Sequence, residues 1–102
     1  MKMNIQKTKL KSIDKACHNF QVKELHLFGS LAKGDETEQS DADFVVTFLH
    51  DQIEGSFRRY MGLKSELEQI MERSVDLLCY KAIRNPYFRE EIDEAKVTLY
   101  GA

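Results

Sequence analysis

Apolar positions along the chain repeat with two different periods. From Ile5 to Phe20, the residues Ile5, Leu10, Ile13, Cys17 and Phe20 recur mostly at steps of three and four, which gathers them on one face of a helix. A second stripe of this kind runs from Ser56 to Arg73 through Phe57, Tyr60, Met61, Leu67, Ile70 and Met71. Other apolar runs are short and rich in β-branched and aromatic residues. Val22–Phe28 stops at Gly29, Phe44–Leu49 reads FVVTFL, and Val75–Tyr80 reads VDLLCY. These predict strands, and the nearly unbroken FVVTFL predicts one covered on both faces. Ser30–Lys33 reads as a short helix with Ser as its cap and Gly34 as its stop. Asn85–Pro86 opens a last helix, with Asn as cap, Pro in the first turn, and Phe88, Ile92 and Ala95 on one side. Val97–Tyr100 is a short strand or an extended tail. Strands alternate with helices, so the expected class is α/β (α+β), a small sheet flanked by helices.

Length and charge narrow the function. The 102 residues fit one domain, 1–102, with a small core and no room for a second catalytic domain. A net charge of −2 argues against general nucleic-acid binding, which calls for a basic excess. No apolar run is long enough to span a bilayer, and the polar Met1–Leu10 lacks the core of a secretion signal, so the chain reads as cytoplasmic. Cys17 and Cys79 have no C-x-x-C neighbour and read as small buried hydrophobes in a reducing compartment. His18, His26 and His50 are scattered without ligand spacing and read as surface or boundary residues. Arg58 and Arg59 read as the wet face of the second long helix. The acidic Asp35, Glu36 and Glu38 are expected to point outward, since they would repel a phosphate if folded inward.

Three pieces could carry chemistry. Gly29 lets the backbone turn and lets a phosphate come close, and Ser30 places a hydroxyl and backbone N–H groups at a helix start. An ordinary turn would look the same. Asp41 and Asp43, one residue apart at a strand start, point to one face in extended chain. Such a pair repels itself unless a cation or proton intervenes; alternatively Asp41 closes a turn and Asp43 is solvated. Asp76 lies inside VDLLCY among apolar neighbours, where a carboxylate is costly unless it is paired or holds a metal. The other reading is an edge-strand Asp facing water. If its strand lies beside FVVTFL, Asp76 joins Asp41 and Asp43 on one face. Three carboxylates opposite a phosphate-binding turn suit two-metal phosphoryl or nucleotidyl transfer.

The ordered combination resembles the minimal nucleotidyltransferases of the DNA polymerase β superfamily. The residues that carry it are GSLAKG (Gly29–Gly34), SDADFVV (Ser40–Val46), GLKSELEQIMERSVDLL (Gly62–Leu78) and NPYFREEIDEAKVTLY (Asn85–Tyr100). The last two blocks look like the small stand-alone members found as antitoxins beside HEPN toxins. The resemblance implies that superfamily's fold, a small mixed sheet flanked by helices. It implies that Gly29 and Ser30 hold the nucleotide's terminal phosphates. Asp41, Asp43 and Asp76 would be catalytic and bind two Mg²⁺ ions. Lys33 stands where the family often has Arg; it is either a phosphate ligand or a solvated helix residue. ATP would be the donor, and a tyrosine hydroxyl of a cognate HEPN-type toxin the acceptor. Two rivals stand beside this reading. One is an antitoxin that neutralises by binding alone; the other is a small-molecule nucleotidyltransferase, whose relatives usually carry an extra domain.

Overall fold

The computed structural model describes residues 5–34, 37, 39–50 and 55–101. In chain order these form α1 (Lys7–Asn19), β1 (Val22–Phe28), α2 (Gly29–Lys33), β2 (Ala42–Phe48), α3 (Ser56–Met71), β3 (Val75–Cys79), a 3-10 turn (Tyr80–Ala82), α4 (Pro86–Ala95) and β4 (Val97–Tyr100). The sheet has four strands in the order β3-β2-β1-β4. β1 is antiparallel to both β2 and β4, while β2 and β3 run parallel. The class is mixed α+β, with the helices flanking one mixed sheet. The parallel pair needs a crossover, and α3 supplies it.

Alternation along the strands divides the sheet into two faces. Leu25 and Leu27 of β1, Ala42, Phe44 and Val46 of β2, and Val75 and Leu77 of β3 join Ile13, Ala16 and Cys17 of α1 and Leu63, Leu67 and Met71 of α3 in one core. The register His26↔Val45, Phe28↔Asp43 and Asp43↔Asp76 puts a more polar set on the other face. Val45 there is fully buried, so β2 is covered on both sides as FVVTFL predicts.

Several boundaries and faces differ from the sequence pattern. α2 starts at Gly29, so Phe28 rather than Ser30 is its N-cap, and no side chain caps it. The cause is Gly29, whose φ of +74° turns the chain one residue early. β2 starts at Ala42, because the Ala42 N–H donates to the Ser74 carbonyl (2.9 Å) and opens the parallel ladder before the apolar run begins. α3 ends at Met71, where Glu72 takes the left-handed conformation (φ 57°). Its buried line is Leu63, Leu67 and Met71, whereas Phe57 and Met61 are exposed. Gly62 is the reason for this rotation. A Cβ there would collide with the Phe20 ring (Cζ at 2.9 Å), so the end of α1 rests on the α3 backbone and fixes which face turns inward.

His26 is the other departure. It is 4% exposed, not a boundary residue. Its ring nitrogens lie 3.0 Å from Thr98 Oγ1 and 2.9 Å from Glu24 Oε1, so the polar group is satisfied where it is buried. Asp35, Glu36 and Glu38, expected to point outward, lie outside the described residues.

The corrected α3 face is directly testable. Leu67→Ala is expected to cost about 2–5 kcal/mol in urea unfolding. Phe57→Ala, at a site 76% exposed, is expected to stay within about 0.5 kcal/mol of the parent.

Candidate active site

The acidic residues meet at one end of the β2–β3 pair. Asp43 is the second residue of β2 and lies directly across from Asp76 of β3. Both therefore belong to the face opposite the main core. Asp43 is half-buried, whereas Asp76 is exposed, because β3 is an edge strand. Asp41 precedes β2 by one residue and is exposed. The Asp43 carboxyl is pushed above its ordinary pKa by burial first, then by the charges of Asp76 and Asp41. Asp43 thus feels the charge of both other carboxylates.

The Gly29 turn forms the facing wall. Phe28 pairs across from Asp43, and a Cβ added to Gly29 would strike the Asp43 carboxylate (Cγ at 3.1 Å). Only a residue without a side chain lets the backbone approach the acid so closely. Ser30 follows, half-buried in the first turn of α2. Lys33 is exposed in the last turn of α2.

Two residues outside the candidate site set hold it in place. Arg73 Nη1 donates to the Ser40 carbonyl (2.9 Å) and the Thr37 carbonyl (3.4 Å), which ties down the segment just before Asp41. Glu68 Oε2 accepts from the Val75 N–H (3.2 Å) and from Lys64 Nζ (3.3 Å), which fixes the start of β3 one residue before Asp76. These bonds, the backbone one first, hold the Glu68 carboxyl below its ordinary pKa. Neither residue has a spacing signal, since each acts on backbone that only the folded chain brings near. Tyr60 adds a third tie, donating its hydroxyl to the Leu77 carbonyl (2.6 Å).

Among the described residues, no three His, Cys, Asp or Glu side chains are drawn up closely enough to ligate one ion. The fit to a cation lies in the electrostatics of Asp43. A half-buried carboxylate pressed by two others is the donor chemistry that a hard divalent ion relieves. A cleft of about 410 Å³ opens elsewhere, at the C-terminal end of β2, with Phe48, Phe57, Tyr60 and Cys79 in its lining. Among the described residues no carboxylate lines it, and it lies at the other end of β2 from Asp41, Asp43 and Asp76. The thiols show no sign of activation: burial, then Asp14, pushes Cys17 up to about 12, and burial raises Cys79.

A strand, a glycine turn and acids on a neighbouring parallel pair meet at one end of the mixed sheet. The chain belongs to the nucleotidyltransferase domain family, whose model matches residues 9–99. A protein of Methanocaldococcus jannaschii named "Putative protein adenylyltransferase" is 43% identical over 75 residues, 74% of each chain. Among solved structures, a toxin-antitoxin crystal structure with AMP-PNP superposes with a TM-score of 0.73 at 20% identity, over 91% of this chain and 73% of that one. A structure of a tri-AMPylated Shewanella oneidensis HEPN toxin in complex with MNT antitoxin matches with a TM-score of 0.67 at 17% identity, over 96% of this chain and 74% of that one. At these identities, the two solved structures are alike in fold.

Asp43 yields a pH test. Its folded pKa is raised, so ionised Asp43 costs stability, and the cost is relieved as pH falls through the raised value toward the ordinary carboxylate range. Asp43→Asn is therefore expected to be more stable than the parent at neutral pH, with the difference shrinking on acidification in thermal melts. Mg²⁺ is expected to raise the melting temperature of the parent and not of the variant. Gly29→Ala, strained at φ +74° and in collision with Asp43, is expected to lose about 1–3 kcal/mol in urea unfolding.

Proposed function

We propose that this chain is an antitoxin of the minimal nucleotidyltransferase type that transfers AMP from ATP to a tyrosine hydroxyl of a cognate HEPN-type toxin in the cytoplasm. The observation that carries the reading is the pairing of Asp43 with Asp76 directly against the Gly29 turn. The name of the M. jannaschii relative and the partners in the similar solved structures support it. That no helix of the described residues can cross a membrane is consistent with the proposed location.

Residues 1–102 act in this reading as one catalytic unit. Gly29 and the backbone N–H groups at the start of α2 receive the terminal phosphates. The Ser30 hydroxyl adds a donor, and Lys33 adds positive charge at the rim. Asp41, Asp43 and Asp76 would hold two Mg²⁺ ions, which supply charge neutralisation and lower the pKa of an attacking hydroxyl when bound. The acceptor hydroxyl adds to the α-phosphorus in line with the departing pyrophosphate, and its proton passes to water by way of the exposed Asp76 carboxylate. Asp43, set deeper, would hold divalent charge close to the glycine turn, where the triphosphate binds. Excluding a side chain at position 29 keeps phosphate and carboxylates in one narrow space.

The decisive measurement is the intact mass of the adjacent gene product after incubation with this protein, Mg²⁺ and ATP. The expected outcome is a gain of one or more AMP units with the parent and none with the Asp41→Asn/Asp43→Asn double variant. Asp76→Asn is expected to slow transfer by about 10²–10⁴-fold. If the toxin stays unmodified with every nucleotide yet parent and double variant both neutralise it, the chain works by binding instead.

A further inference from the structure

Three of the four tyrosines have engaged hydroxyls. Tyr60 donates to the Leu77 carbonyl (2.6 Å), Tyr80 donates to the Asp93 carboxylate (3.0 Å to each oxygen), and Tyr100 Oη lies 3.5 Å from His18 Nδ1. Tyr87 differs. Its side chain is 81% exposed, and among the described residues its hydroxyl has no hydrogen-bond partner.

The backbone beneath Tyr87 is fixed, and it is fixed beside the acidic end of the sheet. Asn85 Oδ1 accepts from the N–H groups of Tyr87 (2.9 Å) and Phe88 (3.3 Å), which locks the first turn of α4. Phe88 then meets Phe28 edge-on, with centroids 6.4 Å apart. Phe28 is both the N-cap of α2 and the cross-strand partner of Asp43. α4 also packs against α2 itself. A rigid base, one aromatic contact from the Gly29 turn, thus carries a phenol with no competing partner.

We propose that Tyr87 is a self-modification site, the acceptor of a nucleotidyl group from the same chain. This rests on the nucleotidyltransferase reading above. In the step, a bond forms between Tyr87 Oη and the α-phosphorus of the bound nucleoside triphosphate. The bond from that phosphorus to the bridging oxygen breaks, pyrophosphate leaves, and the phenol proton goes to water. The product is a tyrosyl nucleoside monophosphate diester, with no redox change. An acceptor tethered to the catalytic wall gains from proximity, because no second body has to be captured and oriented. Tyr60, Tyr80 and Tyr100 would each first have to give up a hydrogen bond.

The test uses the full chain alone, with Mg²⁺ and each of ATP, GTP, CTP and UTP, read by intact mass and peptide sequencing in the mass spectrometer. The expected result is one nucleotidyl mass on the peptide holding Tyr87, formed at a rate independent of protein concentration. Tyr87→Phe should lose it, while Tyr100→Phe and Tyr80→Phe keep it. If the chain gains no mass although the same preparation modifies the adjacent gene product, self-modification is refuted and the transferase reading stands. If neither protein gains mass with any nucleotide, the transferase reading falls and Tyr87 falls with it. Label on another residue overturns the assignment. So does label on an Asp41→Asn/Asp43→Asn chain mixed with the Tyr87→Phe chain, since that would be transfer between copies.

Discussion

The parallel register of β2 on β3 sets a carboxylate beside a carboxylate, and the rest of the site follows from it. Side chains alternate along a strand, so a slip of one residue would turn Asp76 toward the core and Leu77 away from it. Phe44 and Leu77, paired and fully buried on the core face, oppose that slip through their apolar area. Polar ties at the ends add to it. Ser74 accepts from Ala42, Glu68 accepts from Val75, and Arg73 holds the carbonyl of Ser40. Each tie acts within two residues of an acid, so together they govern where the negative charge is concentrated.

Two faces of one small sheet divide the work. The face toward α1 and α3 is apolar and supplies most of the stabilising burial. The other face carries charge that works against folding, with Asp43 half-buried and pressed by two like charges. A protein of this size has little stability to spare for such repulsion. Placing β3 at the sheet edge limits it, because Asp76 stays in water while Asp43 takes the desolvation. The buried His26, bonded to Glu24 and Thr98, is a structural tie between strands on that same face.

The cleft at the opposite end of β2 lies away from the acidic residues. Among the described residues it is lined by apolar, polar and cationic groups and by no acid. The first turn of α4, with Phe88 edge-on against Phe28, lies beyond the Gly29 turn.

Much was legible in the sequence because it is written in local rules. Hydrophobic period marked α1, α3 and the first three strands and left Val97–Tyr100 open between strand and extended tail; Gly34 and Asn85 marked a helix stop and a helix start, Asp41 and Asp43 stood out by spacing and Asp76 by its apolar neighbours. The family likeness followed from motif order. The tertiary structure alone decided three things. It set β3 beside β2, since strand pairing joins residues more than thirty apart. It chose the inward face of α3, because the Phe20 ring rests on Gly62, a contact no helical period contains. It made Gly29 obligatory through the nearness of Asp43, and left Tyr87 as the unengaged phenol. Composition and spacing describe what each residue can do; which residues can reach one another depends on packing between elements distant in the chain.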